Sequence, residues 1–234
     1  MRGRDALIVF AKVPEPGRVK TRLSPPLTPH QAAALYDAFL RDALDRYAGR
    51  DAALGPDPFG LGRPVDIRLY LGGLAADAAP PDGLVPPGVA LFRQRGDGLG
   101  ARMMRAFVET FAAGYDRAVV VGTDHPTLPL ALIGEAIRQL EAPLTAAVGP
   151  SEDGGYTFLG LNDVSPVLFD MDYSHDAVFD DTIERIAEAG MTPVVLPAHY
   201  DVDDAASLAR LQAEAAAGAD VGPRTAAELA ALDA

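Results

Sequence analysis

The sequence predicts an α/β protein, and three observations carry that expectation. Ala6-Leu7-Ile8-Val9-Phe10-Ala11 is a short, continuous apolar run near the start of the chain. Runs of this kind are strands buried on both faces, because a strand with one wet face would alternate apolar and polar residues. Ala118-Val119-Val120-Val121-Gly122 is a second run of the same type. Between them lie segments with apolar residues at helical spacing, and strands that alternate with helices build sheets covered by helices.

The elements follow in order. The first strand spans 6–11 and gives way to a loop with Pro14, Pro16 and Gly17. Thr28-Pro29-His30-Gln31 is a helix start: Thr28 suits the N-cap, Pro29 the first helical position, and Gln31 completes a capping box. Beyond it Leu35, Phe39, Leu40, Ala43, Leu44 and Tyr47 mark one helical face. Residues 49–64 and 72–88 are rich in Gly and Pro and read as loops, the regions most open to variation. Strands are expected at 65–71 and 89–93. A helix is expected at 99–113, with Met103, Met104, Phe107 and Phe111 inward. The buried strand at 118–122 precedes a helix at 130–140. Strands at 145–148 and 156–161, a helix at 177–189, a strand at 192–196, and helices at 205–217 and 225–232 complete the chain. No internal repeat or low-complexity linker divides it, so a single domain over 1–234 is expected.

Composition sets limits on function. With 49% hydrophobic and 23% charged residues, the chain has an ordinary globular balance. The absence of cysteine excludes thiol catalysis, Cys-ligated zinc and iron–sulfur clusters. The net charge of −13 argues against non-specific binding to nucleic acid or anionic membranes. No apolar run approaches the ~20 residues of a membrane span. The 6–11 run is also shorter than the apolar core of a secretory signal, so a cytoplasmic protein is expected.

Against that acidic background one loop is basic. The chain has two lysines, Lys12 and Lys20, and both lie in the loop after the first strand with Arg18 and Arg22. Four cations so close together form a local anion site, with Lys as a point charge for phosphate and Arg as a bidentate fork. The position agrees, since ligands of open α/β sheets bind beyond the carboxyl ends of the strands. The bland alternative is a solvated basic loop. Neither a Walker A motif nor a dinucleotide-binding glycine fingerprint is present.

Four further stretches follow strands. Gly122-Thr123-Asp124-His125-Pro126 puts a carboxylate at the end of a buried strand, where it can hold a hard divalent cation or cap the next helix. His125 beside it reads as a hydrogen-bonding spectator. Asp153-Gly154-Gly155 is either a hairpin turn or a tight backbone that lets a substrate lie close, with Asp153 facing the pocket. Asp201-Val202-Asp203-Asp204 supplies helix capping or a second carboxylate for the same metal. The Gly96-Asp97-Gly98-Leu99-Gly100-Ala101-Arg102 connection is a loop and helix start, or a binding segment.

Taken together these stretches resemble a bacterial family with the nucleotide-diphospho-sugar transferase (GT-A) fold, some of whose members are named arsenosugar-pathway glycosyltransferases. The similarity runs through Phe10…Lys12-x-Pro14-x-x-Gly17-x-Val19-Lys20-Thr21-Arg22-Leu23. It continues through Gly122-Thr123-Asp124-x-Pro126, Gly149-Pro150…Asp153-Gly154-Gly155-Tyr156 and Asp201-Val202-Asp203. It spans residues 6 to about 211. More distantly the chain is similar to molybdenum-cofactor and phospholactate guanylyltransferases. Relatives tend to read Gly-Asp-Leu-Gly-Glu-Arg where this chain has the longer 96–102 stretch, and Trp-Ser where it has Tyr173-Ser174. Thr123 and His125 flank Asp124, so the Asp-x-Asp motif of many sugar transferases is not intact.

The resemblance implies a three-layer α/β/α domain with a mainly parallel mixed sheet, and a transferase that uses a nucleotide-activated donor. It implies Mg²⁺ or Mn²⁺ held by Asp124 and Asp203. Lys12, Gly17, Lys20, Thr21, Arg22, Gly154 and Gly155 would touch the nucleotide, and Lys20, Arg22 and Asp153 would take part in catalysis. The expected partners are a nucleotide-sugar or an NTP and a small-molecule acceptor. Glycosyl transfer, nucleotidyl transfer and nucleotide binding without turnover all stay open at this point. Each of them requires the basic loop. Lys20→Ala is therefore expected to weaken nucleotide affinity by about 1–3 kcal/mol, the worth of a charge-assisted hydrogen bond. Unchanged affinity in a folded variant, measured by calorimetry, would remove the loop from the site.

Overall fold

A computed structural model describes residues 3–75 and 77–232. Seven strands form one sheet: β1 (Asp5–Lys12), β2 (Val65–Gly72), β3 (Val89–Arg93), β4 (Arg117–Val121), β5 (Thr145–Pro150), β6 (Tyr156–Leu161) and β7 (Thr192–Val195). Six α-helices accompany them: α1 (Pro29–Tyr47), α2 (Gly98–Ala112), α3 (Leu130–Gln139), α4 (Val178–Glu188), α5 (Ala205–Ala216) and α6 (Pro223–Leu232). Sequence patterning located all of these within a few residues. It did not locate the short 3₁₀ turns Thr21–Leu23 and Pro166–Phe169. Residue 76, inside the 72–88 loop, lies outside the described residues, as do 1, 2, 233 and 234.

The strand order is β3-β2-β1-β4-β6-β5-β7. All neighbours pair in parallel except β6, which runs antiparallel to both β4 and β5. The sheet is thus mixed and mainly parallel, as expected. From β1 the chain builds outward through β2 and β3, then returns to place β4 on the other side of β1. That reversal leaves a crevice beyond the carboxyl ends of β1 and β4, the ordinary ligand position in such sheets.

Alternation along the central strands sorts residues between two cores. Leu7 and Val9 of β1 and Val119 and Val121 of β4 face α1 and α3, where Leu40, Leu44, Ile133 and Ile137 are buried. Ala6 and Ile8 with Ala118 and Val120 face α2 and α4, against Met103, Phe107 and Ile186. Met104 and Phe111 pack on that second core only partly buried. The three layers are extended on one side, because Ala32, Leu35 and Phe39 on the other side of α1 pack on Leu208 and Leu211 of α5 and Leu229 of α6. The capping box at the α1 N-terminus forms as the sequence indicates, with Thr28 and Gln31 bonding reciprocally. The 49–64 loop is not free coil throughout: Phe59 is buried and stacks on Tyr47.

The amino ends of β1 and β4 are fastened by charge. The Asp5 carboxylate is fully buried and meets Arg63 Nε and Arg117 Nε, each at 2.5 Å. Burying a carboxylate is costly unless it is paired, and removing it would leave two sequestered guanidinium groups. Asp5→Ala is therefore expected to destabilise the fold by about 3–5 kcal/mol. For a chain of this length that lowers the melting temperature by about 6–20 °C, readable by calorimetry.

Candidate functional site

Beyond the carboxyl ends of β1 and β4 lies a cleft of about 520 Å³. Phe10, Ala11, Val120 and Val121 form its floor, the 12–22 loop one wall, and Leu99, Arg102 and Met103 of α2 another. Lys12, Arg18, Lys20, Thr21, Arg22, Asp124, His125, Asp201 and Asp203 all line it. The structure therefore gathers the basic loop, the β4 carboxylate and the 201–203 carboxylates around one space.

Lys20 lies at the centre of this arrangement. Its Nζ is 2.5 Å from Asp124 Oδ1 and 2.7 Å from Asp203 Oδ1, and its side chain is only 4% exposed. Burial alone would lower the pKa of this ammonium, but the Asp124 and Asp203 carboxylates outweigh it and hold the pKa above its ordinary value. The backbone at Lys20 is left-handed, with φ 46° and ψ 40°. A non-glycine residue there is strained by about 1–2 kcal/mol, and in this conformation the side chain is buried against the two carboxylates. Thr21 and Arg22 are exposed on the 3₁₀ turn that follows, and Arg22 Nη1 lies 3.9 Å from Asp203 Oδ2.

The three carboxylates of 201–204 have separate roles. Asp204 is the N-cap of α5, accepting from Ser207 N at 2.9 Å. Asp203 faces Lys20. Asp201 accepts from Ser151 Oγ at 2.5 Å and lies 3.3 Å from His125 Nδ1. The segment is held in place by backbone bonds, Val202 N to Asp124 O at 3.0 Å and Glu152 N to His199 O at 3.0 Å. Helix capping by Asp204 and a carboxylate lining the cleft at Asp203, the two alternatives read from one sequence stretch, lie one residue apart.

His125 is buried and fixed by Asp201 and by the carbonyl oxygen of Tyr200, 3.3 Å from Nδ1. Burial opposes its charge, but the Asp201 hydrogen bond and carboxylate outweigh that and raise its pKa. The same contact holds Asp201 below the usual carboxylate range, against the desolvation that would raise it. Tyr36 underlies the loop. Its hydroxyl accepts from Lys12 N at 2.8 Å, and burial together with the Asp124 charge pushes its pKa to about 12.

Not every expected residue reaches the cleft. Gly17 has a positive φ of 75° in the basic loop but does not line the cavity. Gly154 and Gly155 do not line it either. A Cβ on Gly154 would stand 1.9 Å from the carbonyl oxygen of Asp176, so this glycine permits close packing of two backbone segments. Asp153 is exposed on an adjoining hollow with Arg22, Asp201 and Asp203, and its Oδ1 accepts from Gly155 N at 3.1 Å in a turn. Carboxylate oxygens of Asp153, Asp201 and Asp203 lie within 4.8 Å of one another. Such a set of hard oxygen donors suits a divalent cation. Sequence reasoning missed Ser151 and Tyr36 as site residues and did not single out Asp201 among the carboxylates of 201–204. Asp201 alone carried a signal, as one of a run of carboxylates after a strand.

Comparison with known proteins places the chain. Residues 62–175 match the profile of a family described as an uncharacterized protein conserved in bacteria, DUF2064. The structure of a candidate nucleotide-diphospho-sugar transferase from Desulfovibrio desulfuricans G20 is similar over 98% of this chain and 96% of that one, at 31% identity and a TM-score of 0.81. The chain belongs to this family. No protein of curated function matches the DUF2064 chain in sequence. Two solved structures share its fold at lower identity. One is CMP:2-keto-3-deoxy-manno-octonic acid synthetase complexed with CTP, at 10% identity and TM-score 0.54, covering 92% of this chain and 99% of that one. The other is a cytidylyltransferase from Leptospira borgpetersenii serovar Hardjo-bovis, at 9% identity and TM-score 0.53, covering 99% and 94%. No described helix of the DUF2064 chain is long and apolar enough to cross a membrane.

The His125–Asp201 contact has a pH signature. A histidine whose folded pKa is raised contributes stability that is fully present below its unfolded value, near 6.5, and is lost as pH rises through the folded value. The stability that His125 contributes is therefore expected to fall as pH rises above about 6.5, against an opposite trend from His199, whose pKa burial lowers. The melting temperature of His125→Gln should accordingly lose less, or gain more, than that of wild type over that range. An unchanged pH dependence in the variant would show that His125 does not carry the effect.

Proposed function

We propose that this chain is a metal-dependent transferase using a nucleotide-activated donor, and specifically a glycosyltransferase that takes a nucleotide-diphospho-sugar. A single domain of residues 1–234 would hold the site. One observation carries the reading: Lys12, Lys20 and Arg22 meet Asp124, Asp201 and Asp203 in one cleft at the switch point of the sheet. Cations at that place suit a diphosphate, and carboxylates beside them suit the divalent ion that accompanies it. The name carried by the Desulfovibrio relative agrees with this reading.

The residues fit a hard cation on their own chemistry. Asp203 is common to the Asp153–Asp201–Asp203 cluster and to the Lys20 contact, and Asp124 Oδ1 is a buried oxygen with no partner other than that ammonium. Mg²⁺ or Mn²⁺ held by Asp203, with Asp124 and its acidic neighbours, would supply Lewis-acid screening of the diphosphate. The chain's own cations do the rest. In glycosyl transfer the bond from the anomeric carbon to the diphosphate oxygen breaks, and a bond to the acceptor forms. Lys20 and Arg22 would neutralise the charge that builds on the departing diphosphate, a stabilisation needed most in the transition state. The acceptor proton needs a base near the cleft. Asp153, exposed beside it, and His125, lining it, are two of the titratable groups at hand.

A second reading is nucleotidyl transfer from an NTP to a phosphorylated acceptor. It is favoured by the Lys20-Thr21-Arg22 loop and by the isolated Asp124 in place of an Asp-x-Asp motif. The two readings differ in product. Supplied with nucleotide-sugars, NTPs, Mn²⁺ and an acceptor panel, the protein is expected to release a nucleoside diphosphate in a metal-dependent way. Release of pyrophosphate from an NTP would select nucleotidyl transfer. Nucleotide binding without either product would leave a binding protein that shares the fold.

A further inference from the structure

We propose that Lys20 is a built-in counter-cation that closes the position between Asp124 and Asp203 to free divalent ions, so that this position takes its metal as a complex with the donor's diphosphate. The inference rests on the nucleotide-donor reading for the identity of that diphosphate. The closure itself rests on geometry alone. Lys20 Nζ stands 2.5 Å and 2.7 Å from one oxygen each of Asp124 and Asp203. Hard divalent cations hold carboxylate oxygens at about 2.0–2.6 Å. The ammonium thus takes the position, and nearly the spacing, of a cation bridging the two carboxylates.

No other group near these oxygens plays that part. Apart from the ammonium, the buried Oδ1 of Asp124 has no partner. Arg22 is 3.9 Å from Asp203 and largely exposed, while Asp201 is engaged by Ser151 and His125. A metal ion joining Asp124 to Asp203 must therefore displace a lysine whose side chain is almost wholly buried. A displaced ammonium needs another anion, and a diphosphate arriving in the same cleft supplies one. The strained backbone at Lys20 is consistent with a residue held in place by its two ion pairs. Metal and diphosphate then promote each other's binding by the same factor, as linkage requires.

The test is direct binding of Mn²⁺, followed by the electron paramagnetic resonance signal of the free ion. It compares wild type, Lys20→Met and Arg22→Met, with and without UDP, GDP, CDP or ADP. Wild type alone is expected to bind Mn²⁺ weakly, and one nucleoside diphosphate to tighten that binding by about tenfold or more, within the usual range of coupling. Lys20→Met alone should bind Mn²⁺ roughly tenfold tighter than wild type. Arg22→Met, which removes a nearby charge without opening the pair, should change it by less than about threefold. Equal gains in the two variants, no gain in folded Lys20→Met, or no Mn²⁺ binding by any of the proteins at millimolar concentrations would overturn the proposal. Tighter binding in Lys20→Met, with no response of the wild type to any nucleotide, would uphold the closure and sink the nucleotide reading instead. Should Lys20→Met fail to fold, Asp124→Asn keeps the lysine paired with Asp203 and should lose the nucleotide-dependent tightening. Retention of that tightening counts against the proposal.

Discussion

The ion pairs of Lys20 with Asp124 and Asp203 organise the functional end of this molecule. They join three places that are distant in sequence: the loop after β1, the turn after β4, and the entry to α5. An ammonium this deeply buried persists only when paired, so the loop that carries Lys20 is tied to the two segments that carry its partly exposed carboxylates. The sheet supplies the frame. β1 and β4 lie side by side in parallel register, and their carboxyl ends deliver Lys12 and Gly122 to the same edge of the sheet. Asp5 with Arg63 and Arg117 fastens the opposite end of the same two strands. The central strand pair is thus held by buried charge at both ends and by apolar packing between them.

The acidic and basic groups of the cleft also complement one another. A chain of net charge −13 would repel a diphosphate from most of its surface. The 12–22 loop reverses the sign locally, and Arg102 on α2 adds a guanidinium that bonds the carbonyl oxygen of Gly96 and has no carboxylate within ion-pair distance among the described residues. Most other described arginines are occupied by Asp or Glu, for example Arg41 by Asp37 and Arg224 by Asp42. Of the described cations without a carboxylate at ion-pair distance, Lys12 and Arg102 line the cleft, while Arg68, Arg93 and Arg95 border a separate hollow beside β3.

Much of this was legible in the sequence, for physical reasons that can be named. The continuous apolar runs at β1 and β4 marked central parallel strands, because only strands covered on both faces tolerate them. Thr28, Pro29 and Gln31 marked the start of α1 to the residue, since capping is local chemistry. The basic loop stood out because an acidic chain concentrates both of its lysines there. What sequence could not give was distance between remote segments. Nothing local to Lys20 indicates a left-handed backbone or a buried ammonium, and nothing near Ser151 indicates that its hydroxyl bonds Asp201. Gly154 read as a place for substrate, whereas its missing Cβ makes room for the backbone of Asp176. The strand order and the outer packing of α5 and α6 on α1 depend on pairings that composition does not encode.

The function of the cleft depends on whether it receives a nucleotide together with a divalent ion. Calorimetric titration of ATP, GTP, CTP, UTP, UDP-glucose and GDP-mannose, with and without Mg²⁺ or Mn²⁺, addresses that directly, with Asp124→Ala as the control. Metal-dependent binding of a nucleotide-sugar, lost in the variant, is the predicted result and would name the donor. Absence of binding by every nucleotide in the panel, in a folded protein with metal present, would contradict the account. The conclusion would then be that the fold is shared and the ligand is not.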